Sequence, residues 1–196
     1  MAATDVDICN RALSRLGTRA TISALDENST EARTASIWYA ATRDALLRIH
    51  DWNFARRRVG LARSEAAPTG WAFRYTLPTD CLRLLRLASA TPGSGMPRFE
   101  VAGDSASRVV FCDEPAAEAI YTARIGDPNL YDAGFALALV DQLAAHIAYP
   151  ITQKTETAVR LAQLARASLA DAMAADVNEA GSEGGDRMPD WITARA

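Results

Sequence analysis

The sequence has few of the residues and motifs from which enzyme active sites are built. It contains two histidines, His50 and His146, and three widely separated cysteines at positions 9, 81 and 112. None of these residues has the short spacing that structural zinc sites use. The glycines form neither a GxGxxG nor a GxxxxGK[ST] loop, which argues against nucleotide binding. We therefore predict no metal, no cofactor and no enzymatic activity.

A strong basic balance and a long apolar run are also missing. The formal net charge of −3 and the pI near 5.4 disfavour a dedicated nucleic-acid-binding protein, which normally has a clustered basic face. No run of about 18 consecutive apolar residues is present, and residues 1–7 lack a basic leader region. We expect no membrane partner and synthesis in the cytoplasm. The odd number of cysteines in apolar surroundings predicts buried free thiols.

Helical patterns at both ends surround a strand-rich centre. Apolar residues recur at helical spacing over about 4–17, 29–52, 128–149 and 154–179. Between them, about 54–126 contains short alternating segments divided by turn residues, as in an antiparallel sheet or small barrel. The chain length of 196 residues suits one domain. We predict an α+β fold, with a bundle of N- and C-terminal helices, a central antiparallel β-rich insert and a single domain over 1–180.

Several local signals set the expected helix boundaries. Thr4 with Asp7 and Asn28 with Glu31 have the spacing of N-terminal capping pairs. Asp127-Pro128 predicts a helix start. Pro150 predicts the end of that helix, because proline cannot donate a backbone hydrogen bond.

Residues 181–196 are predicted to form a flexible, extended C-terminal tail. The linker-like segment 181–187 precedes an apolar cluster of Met188, Pro189, Trp191 and Ile192. Two interpretations of Trp191 remain open. It either folds back on its own subunit or docks on another chain, where tryptophan is a favoured anchor.

Three groups of polar residues are weak candidates for chemistry. Arg56, Arg57 and Arg58 follow two aromatic residues, but alternation along a strand would divide them between both faces, which favours an exposed edge or contacts between subunits. Adjacent carboxylates at Asp113 and Glu114 are typical of a turn rather than of an acid/base pair. His50 lies beside Asp51 without a nucleophile motif.

Four segments stand out when the chain is considered as a whole. They are ICNRALSRLG at 8–17, ALLRIHDWNFA at 45–55, YTLPTDCLRLLRL at 75–87 and LYDAGFA at 130–136. Together, in order and with compatible spacing over about 10–175, they resemble the tail tubular protein A, or head-to-tail adaptor, family of tailed bacteriophages.

The resemblance implies a structural virion protein of the particle neck. It implies a ring, usually of twelve copies in such families, between the portal protein and a distal tail, nozzle or stopper protein, with genomic DNA passing through the lumen without specific binding. It also implies that the C-terminal tail, with Met188, Pro189, Trp191 and Ile192, contacts the portal. The shorter β-rich centre departs from larger relatives. The alternatives are a virion-associated peptidoglycan hydrolase that uses Asp and Glu, and a small DNA-binding protein that uses Arg56 to Arg58.

Overall fold

The computed structural model describes residues 4–64, 67–89, 96–103 and 107–179, and these form an α+β protein. Its helices are α1 (Asp5–Arg15), α2 (Thr30–Ile49), α3 (Ala133–Thr152) and α4 (Thr155–Glu179). Its strands are β1 (Arg56–Gly60), β2 (Ala62–Arg63), β3 (Phe73–Thr76), β4 (Cys81–Ser89), β5 (Phe99–Gly103), β6 (Arg108–Cys112) and β7 (Ala117–Ala123). The predicted α+β class is confirmed.

The strands form two antiparallel sheets. A three-stranded sheet has the order β1-β7-β4, and a four-stranded sheet has the order β2-β3-β6-β5. The antiparallel prediction is confirmed, but the described strands form two sheets and not one sheet or a small barrel. Successive strands β6 and β7 belong to different sheets, and the turn at 113–116 connects them.

Helix α3 lies at the centre of the helical packing and contacts α1, α2 and α4. Its inward residues Phe135, Leu139, Leu143 and Ile147 are fully buried. The Phe135 ring meets the ring of buried Trp52 edge-on, with 5.1 Å between centroids. Each such apolar side chain contributes roughly 1.5–3 kcal/mol through burial. The apolar face of α3 is therefore the main source of stability among the helices.

Helix α3 also has the length and apolar composition of a membrane-crossing helix, although polar residues interrupt it. Half of the relevant stretch is buried within the protein. Asp141 in this stretch is 2% exposed, and its Oδ1 lies 2.9 Å from Nε of Arg15. A buried core helix and a membrane span give the same hydropathy signal. Because α3 is partly buried against other helices and contains an aspartate paired with Arg15, we interpret it as a core helix.

The N-terminal caps of the first two helices are partly as predicted. Thr4 and Asp7 form a capping box, in which the Asp7 N–H donates to Thr4 Oγ1 at 3.1 Å and the Thr4 N–H donates to Asp7 Oδ2 at 3.0 Å. The predicted Asn28–Glu31 cap is wrong. Ser29 caps α2 by accepting from the N–H of Ala32 at 3.2 Å, because Ser29 is the residue directly before the first helical residue, Thr30.

Both predicted ends of α3 differ from the structure: the helix begins five residues later, at Ala133, and ends three residues later, at Thr152. Pro128 begins a separate single 3₁₀ turn, and α3 itself begins at Ala133 under the Asp132 cap. Pro150 lies inside the helix, which continues to Thr152. A proline in the last turn removes only one backbone hydrogen bond, so the helix continues past it. Gln153, at φ 55°, then closes the helix by donating its N–H to the carbonyl of Tyr149.

Candidate assembly surface

A groove of about 380 Å³ runs between α3 and α4. Leu137 of α3 and Leu164 of α4 line it and are 39% and 41% exposed. The helices approach closely at Gly134, where a Cβ atom would lie 3.4 Å from Cα of Ala172. The other lining residues are Arg15, Asp141, Ala167, Ser168, Asp171 and Ala175. The groove is therefore walled by leucine and alanine side chains that a packing partner could cover.

The floor of this groove contains polar groups. Asp141 is held by Arg15, whose side chain is 41% exposed. The buried Ser168 hydroxyl has no hydrogen-bond partner among the residues that the structure describes. An unpaired buried hydroxyl lowers the stability of the folded state.

A second exposed apolar surface lies where α2 packs on α3. The Trp38 ring lies 4.9 Å from the His146 ring, and the neighbouring Tyr149 is 52% exposed. Thr42 Oγ1 lies 2.9 Å from His146 Nδ1. Burial lowers the pKa of the His146 imidazole, so the neutral form is favoured. This surface combines aromatic rings with an uncharged histidine.

The two apolar surfaces lie on opposite sides of α3. Leu137 and His146 are nine residues apart, and nine residues make two and a half helical turns. Their side chains therefore leave the helix in opposite directions. One subunit consequently presents two different apolar surfaces, and neither is a copy of the other.

A third surface, which we call the arginine face, covers one side of the three-stranded sheet. The register aligns Arg56 of β1 with Thr122 of β7 and Arg83 of β4, and it aligns Arg58 with Ile120 and Arg86. Residues directly opposite one another in a sheet share a face. The arginine face therefore consists of Arg56, Arg58, Arg83 and Arg86. Its cavity of about 280 Å³ is lined by Asp51, Arg56, Arg83, Leu85, Arg86 and Ile120.

The run of three arginines is divided by the strand, as alternation predicts. Arg57 is paired with Tyr121 and so lies on the other face from Arg56 and Arg58. Strand β1 is an edge strand of its sheet. Arg56 donates two hydrogen bonds to Asp51, at 3.1 and 2.9 Å.

Arg58 lies 2.6 Å from Glu118. Two of the three arginines therefore form ion pairs within the subunit. Sequence reasoning missed Arg83 and Arg86, because only the pairing of both β1 and β4 with β7 brings them to the same face of the sheet as Arg56 and Arg58.

His50 is joined to α4 rather than to its neighbour Asp51. Its Nε2 lies 3.0 Å from Oδ2 of Asp176, which is 5% exposed. The backbone N–H of Asn53 donates to Oδ1 of the same carboxylate at 3.0 Å, and the Asn53 side chain donates to the Asp176 carbonyl. Asp51 instead binds Arg56, so the two neighbouring residues do not form a pair with each other. Asp176 fixes the end of α4 beside the start of β1.

The adjacent carboxylates at 113 and 114 lie in the turn between the two sheets. Asp113 accepts from Arg98 at 2.7 Å and from the N–H of Ala72 at 3.0 Å. The Arg98 guanidinium lowers the pKa of the Asp113 carboxyl, which is the opposite of what a general acid requires. Glu114 accepts from the Tyr75 hydroxyl through its backbone carbonyl. The geometry is that of a structural turn.

The cysteines are buried and not disulfide-bonded, as predicted. Burial raises the pKa of the Cys9 thiol to about 12, which keeps it protonated and unreactive at neutral pH. Within the described parts of the chain, no three His, Cys, Asp or Glu residues come together in a way that could hold a metal ion.

Comparison with known proteins adds no relative. No family model matches the chain, and no curated protein matches it significantly. The apolar cluster Met188, Pro189, Trp191 and Ile192 lies outside the described residues. The surfaces described above are therefore the basis for a functional proposal.

Proposed function

We propose that this protein is a ring subunit of a bacteriophage neck, a head-to-tail adaptor between the portal and the tail. The observation that carries this proposal is the pair of different apolar surfaces on opposite sides of α3. A self-complementary dimer needs one surface that binds its own copy. Two different surfaces instead favour head-to-tail contacts, which close into a ring when the rotation between subunits permits.

The groove between α3 and α4 fits the role of the receiving surface. Its alanine and glycine residues leave room for a neighbouring helix, and Leu137 and Leu164 supply apolar contact. The surface around Trp38 and Tyr149 fits the role of the inserting surface, since large aromatic side chains are frequent interface anchors. In the proposed ring the Trp38 surface of one copy occupies the groove of the next.

The finer architecture belongs to the same proposal. The helices form a bundle that packs laterally into a ring of twelve copies. The β-rich insert faces the distal tail, nozzle or stopper protein, and residues 181–196 reach the portal. The protein would act in the virion neck after synthesis in the host cytoplasm. An acidic subunit repeated around the lumen would repel genomic DNA and let it pass without specific binding.

The ring proposal is tested by charging the groove. Leu164→Lys places an ammonium in the proposed lateral contact, so we expect ring formation to be lost while the subunit stays folded. Val159→Lys is the matched control, because Val159 lies on the same helix, is 53% exposed and does not line the groove. Mass measurement in solution and negative-stain imaging, with and without the portal protein, give the readout.

Three outcomes of this experiment are informative. Rings of the unmodified chain and of Val159→Lys, but not of Leu164→Lys, support the proposal. A chain that forms no ring either alone or on the portal would falsify it. Loss of rings in both variants would show that the groove is not the specific contact.

A further inference from the structure

Helix α2 carries a row of exposed apolar side chains. Ile37 and Ile49 are 70% and 55% exposed, and Ala41 and Ala45 between them are exposed too. The four residues are spaced by four positions, so they form one continuous ridge along the helix surface. We call this row the α2 ridge. It contains no charged residue, and it adjoins the surface around Trp38.

The α2 ridge and the groove between α3 and α4 have similar lengths. Ile49 lies twelve residues after Ile37, which corresponds to roughly 18 Å along a helix. On α4 the groove is lined from Leu164 to Ala175, and these eleven steps correspond to roughly 16 Å. The ridge can therefore fill the groove along its length.

The two surfaces are also complementary in size. A ridge of residues at i and i+4 packs into the groove between ridges of another helix, and small side chains let the helices approach closely. Ala41 and Ala45 lie in the middle of the ridge, and Ala167 and Ala172 lie along the α4 wall of the groove. The larger isoleucines at the two ends of the ridge can then contact the exposed leucines of the groove.

The polar groups of the groove favour an uncharged occupant. Arg15 Nε lies 2.9 Å from Asp141 Oδ1, so the buried carboxylate of the groove floor already has its cationic partner. An incoming charge would compete with this pair in a site of low polarity. An uncharged apolar ridge leaves the pair intact and covers Leu137 and Leu164, which are 39% and 41% exposed.

The α2 ridge cannot reach the groove of its own subunit. Helix α2 packs against α3 on the side of His146, where Thr42 Oγ1 lies 2.9 Å from His146 Nδ1. The groove lies on the opposite side of α3, beside Leu137. A ridge that fills the groove must therefore belong to another copy of the chain.

We propose that the α2 ridge of one copy packs in the groove between α3 and α4 of a second copy, and that Ala41 lies close to Ala167 across this contact. The inference rests on the proposed ring and names the residues of its lateral contact. Because the ridge and the groove are different surfaces, each copy offers one of each, and the contact can repeat from subunit to subunit.

Cross-linking of introduced cysteines tests this contact on the full chain, alone and on the portal protein. Ala41→Cys and Ala167→Cys replace exposed alanines, so the variants should fold. The three native cysteines are buried and should react little. When both substitutions are in one chain, we expect a short bifunctional maleimide to give a ladder of dimers, trimers and larger species. Either substitution alone should give about tenfold less cross-linked product, because its thiols are not close to one another.

A matched pair moves one thiol to the far side of α4. Val159 lies five residues before Leu164, which places it about 140° away around the helix, and it does not line the groove. Val159→Cys with Ala41→Cys should therefore give no ladder. Ile49→Lys, added to the chain with Ala41→Cys and Ala167→Cys, should weaken the ladder about tenfold by charging the ridge.

The mass of the chain in solution separates this contact from the ring itself. Rings without a ladder in the chain with Ala41→Cys and Ala167→Cys would overturn the contact and leave the ring proposal standing. Dimers formed by Ala41→Cys alone would show two ridges in contact and overturn it as well. So would an equally strong ladder with Val159→Cys or after Ile49→Lys. Absence of both rings and ladder would overturn both proposals.

Discussion

The helices and the four-stranded sheet differ in how much of each is buried. Nine residues of α3 are buried, including Phe135, Leu139 and Leu143. In the four-stranded sheet both residues of β2 and three of the five residues of β5 are exposed. The sheet joins the common core mainly through Tyr75, Val110 and Cys112. Stability therefore resides mostly in the helices, and the four-stranded sheet has exposed positions at which substitutions would not unfold the protein.

Two tryptophans illustrate the difference. Trp52 is fully buried, and its indole N–H donates to the carbonyl of Leu46 at 2.9 Å. Trp71, just before β3, is half-exposed, donates to Glu100 and stacks under the Arg98 guanidinium at 4.5 Å. Tryptophan is thus a core residue beside the helices and a surface residue beside the four-stranded sheet.

The largest expected effect comes from exchanging these tryptophans for alanine. Trp52→Ala should lower the free energy of unfolding by about 3–5 kcal/mol, because it leaves a cavity beside Phe135. Trp71→Ala should cost about 0.5–1 kcal/mol, mostly the lost contact with Arg98. Urea unfolding measures both. Equal losses of unfolding free energy would mean that the helices and the four-stranded sheet do not differ in their contribution to stability.

A smaller effect is expected at the junction where α4 meets the sheet. Asp176→Ala removes the acceptor shared by Asn53 and His50 and should destabilise the protein by about 1–3 kcal/mol, because their donors stay buried without a partner. Asp171→Ala, an exposed aspartate on the same helix, should change stability by less than about 0.5 kcal/mol. Denaturant titration of the two variants compares them directly. If Asp171→Ala destabilised as much as Asp176→Ala, the junction would have no special role.

Local patterns predicted the existence of all four helices, because apolar spacing and caps such as Thr4–Asp7 are encoded by neighbouring residues. They also predicted that Arg56 and Arg57 lie on different faces. They did not predict the boundaries of α3, where tertiary packing extends the helix past Pro150.

Contacts between distant segments were not predictable from those patterns. His50 and Asp176 are 126 positions apart, and Arg83 joins Arg56 only through pairing with β7. The groove around Leu137 and Leu164 likewise depends on how α4 crosses α3. Candidate surfaces therefore required the structure, whereas the helices needed only the sequence.

The smallest expected effects are losses of stability at low pH. They occur in different pH ranges for His146 in the helices and for Asp113 beside the four-stranded sheet. Burial lowers the pKa of His146 in the folded helices below its ordinary 6.5, so the unfolded chain takes up this proton first and stability falls as the pH drops below about 6.5. Arg98 lowers the pKa of Asp113 below its ordinary 3.8, so the stabilisation of this turn is present above that pH and is lost only below it.

Thermal unfolding at several pH values distinguishes the two groups. His146→Gln should reduce the fall in melting temperature between about pH 7.5 and pH 5.5, because no buried imidazole then resists protonation. Asp113→Asn should leave that interval unchanged and flatten the curve only below about pH 4, since its carboxylate stays ionised above that value. An Asp113→Asn effect near pH 6, or a His146→Gln curve parallel to that of the unmodified chain, would show that acid does not act on the two halves through these groups.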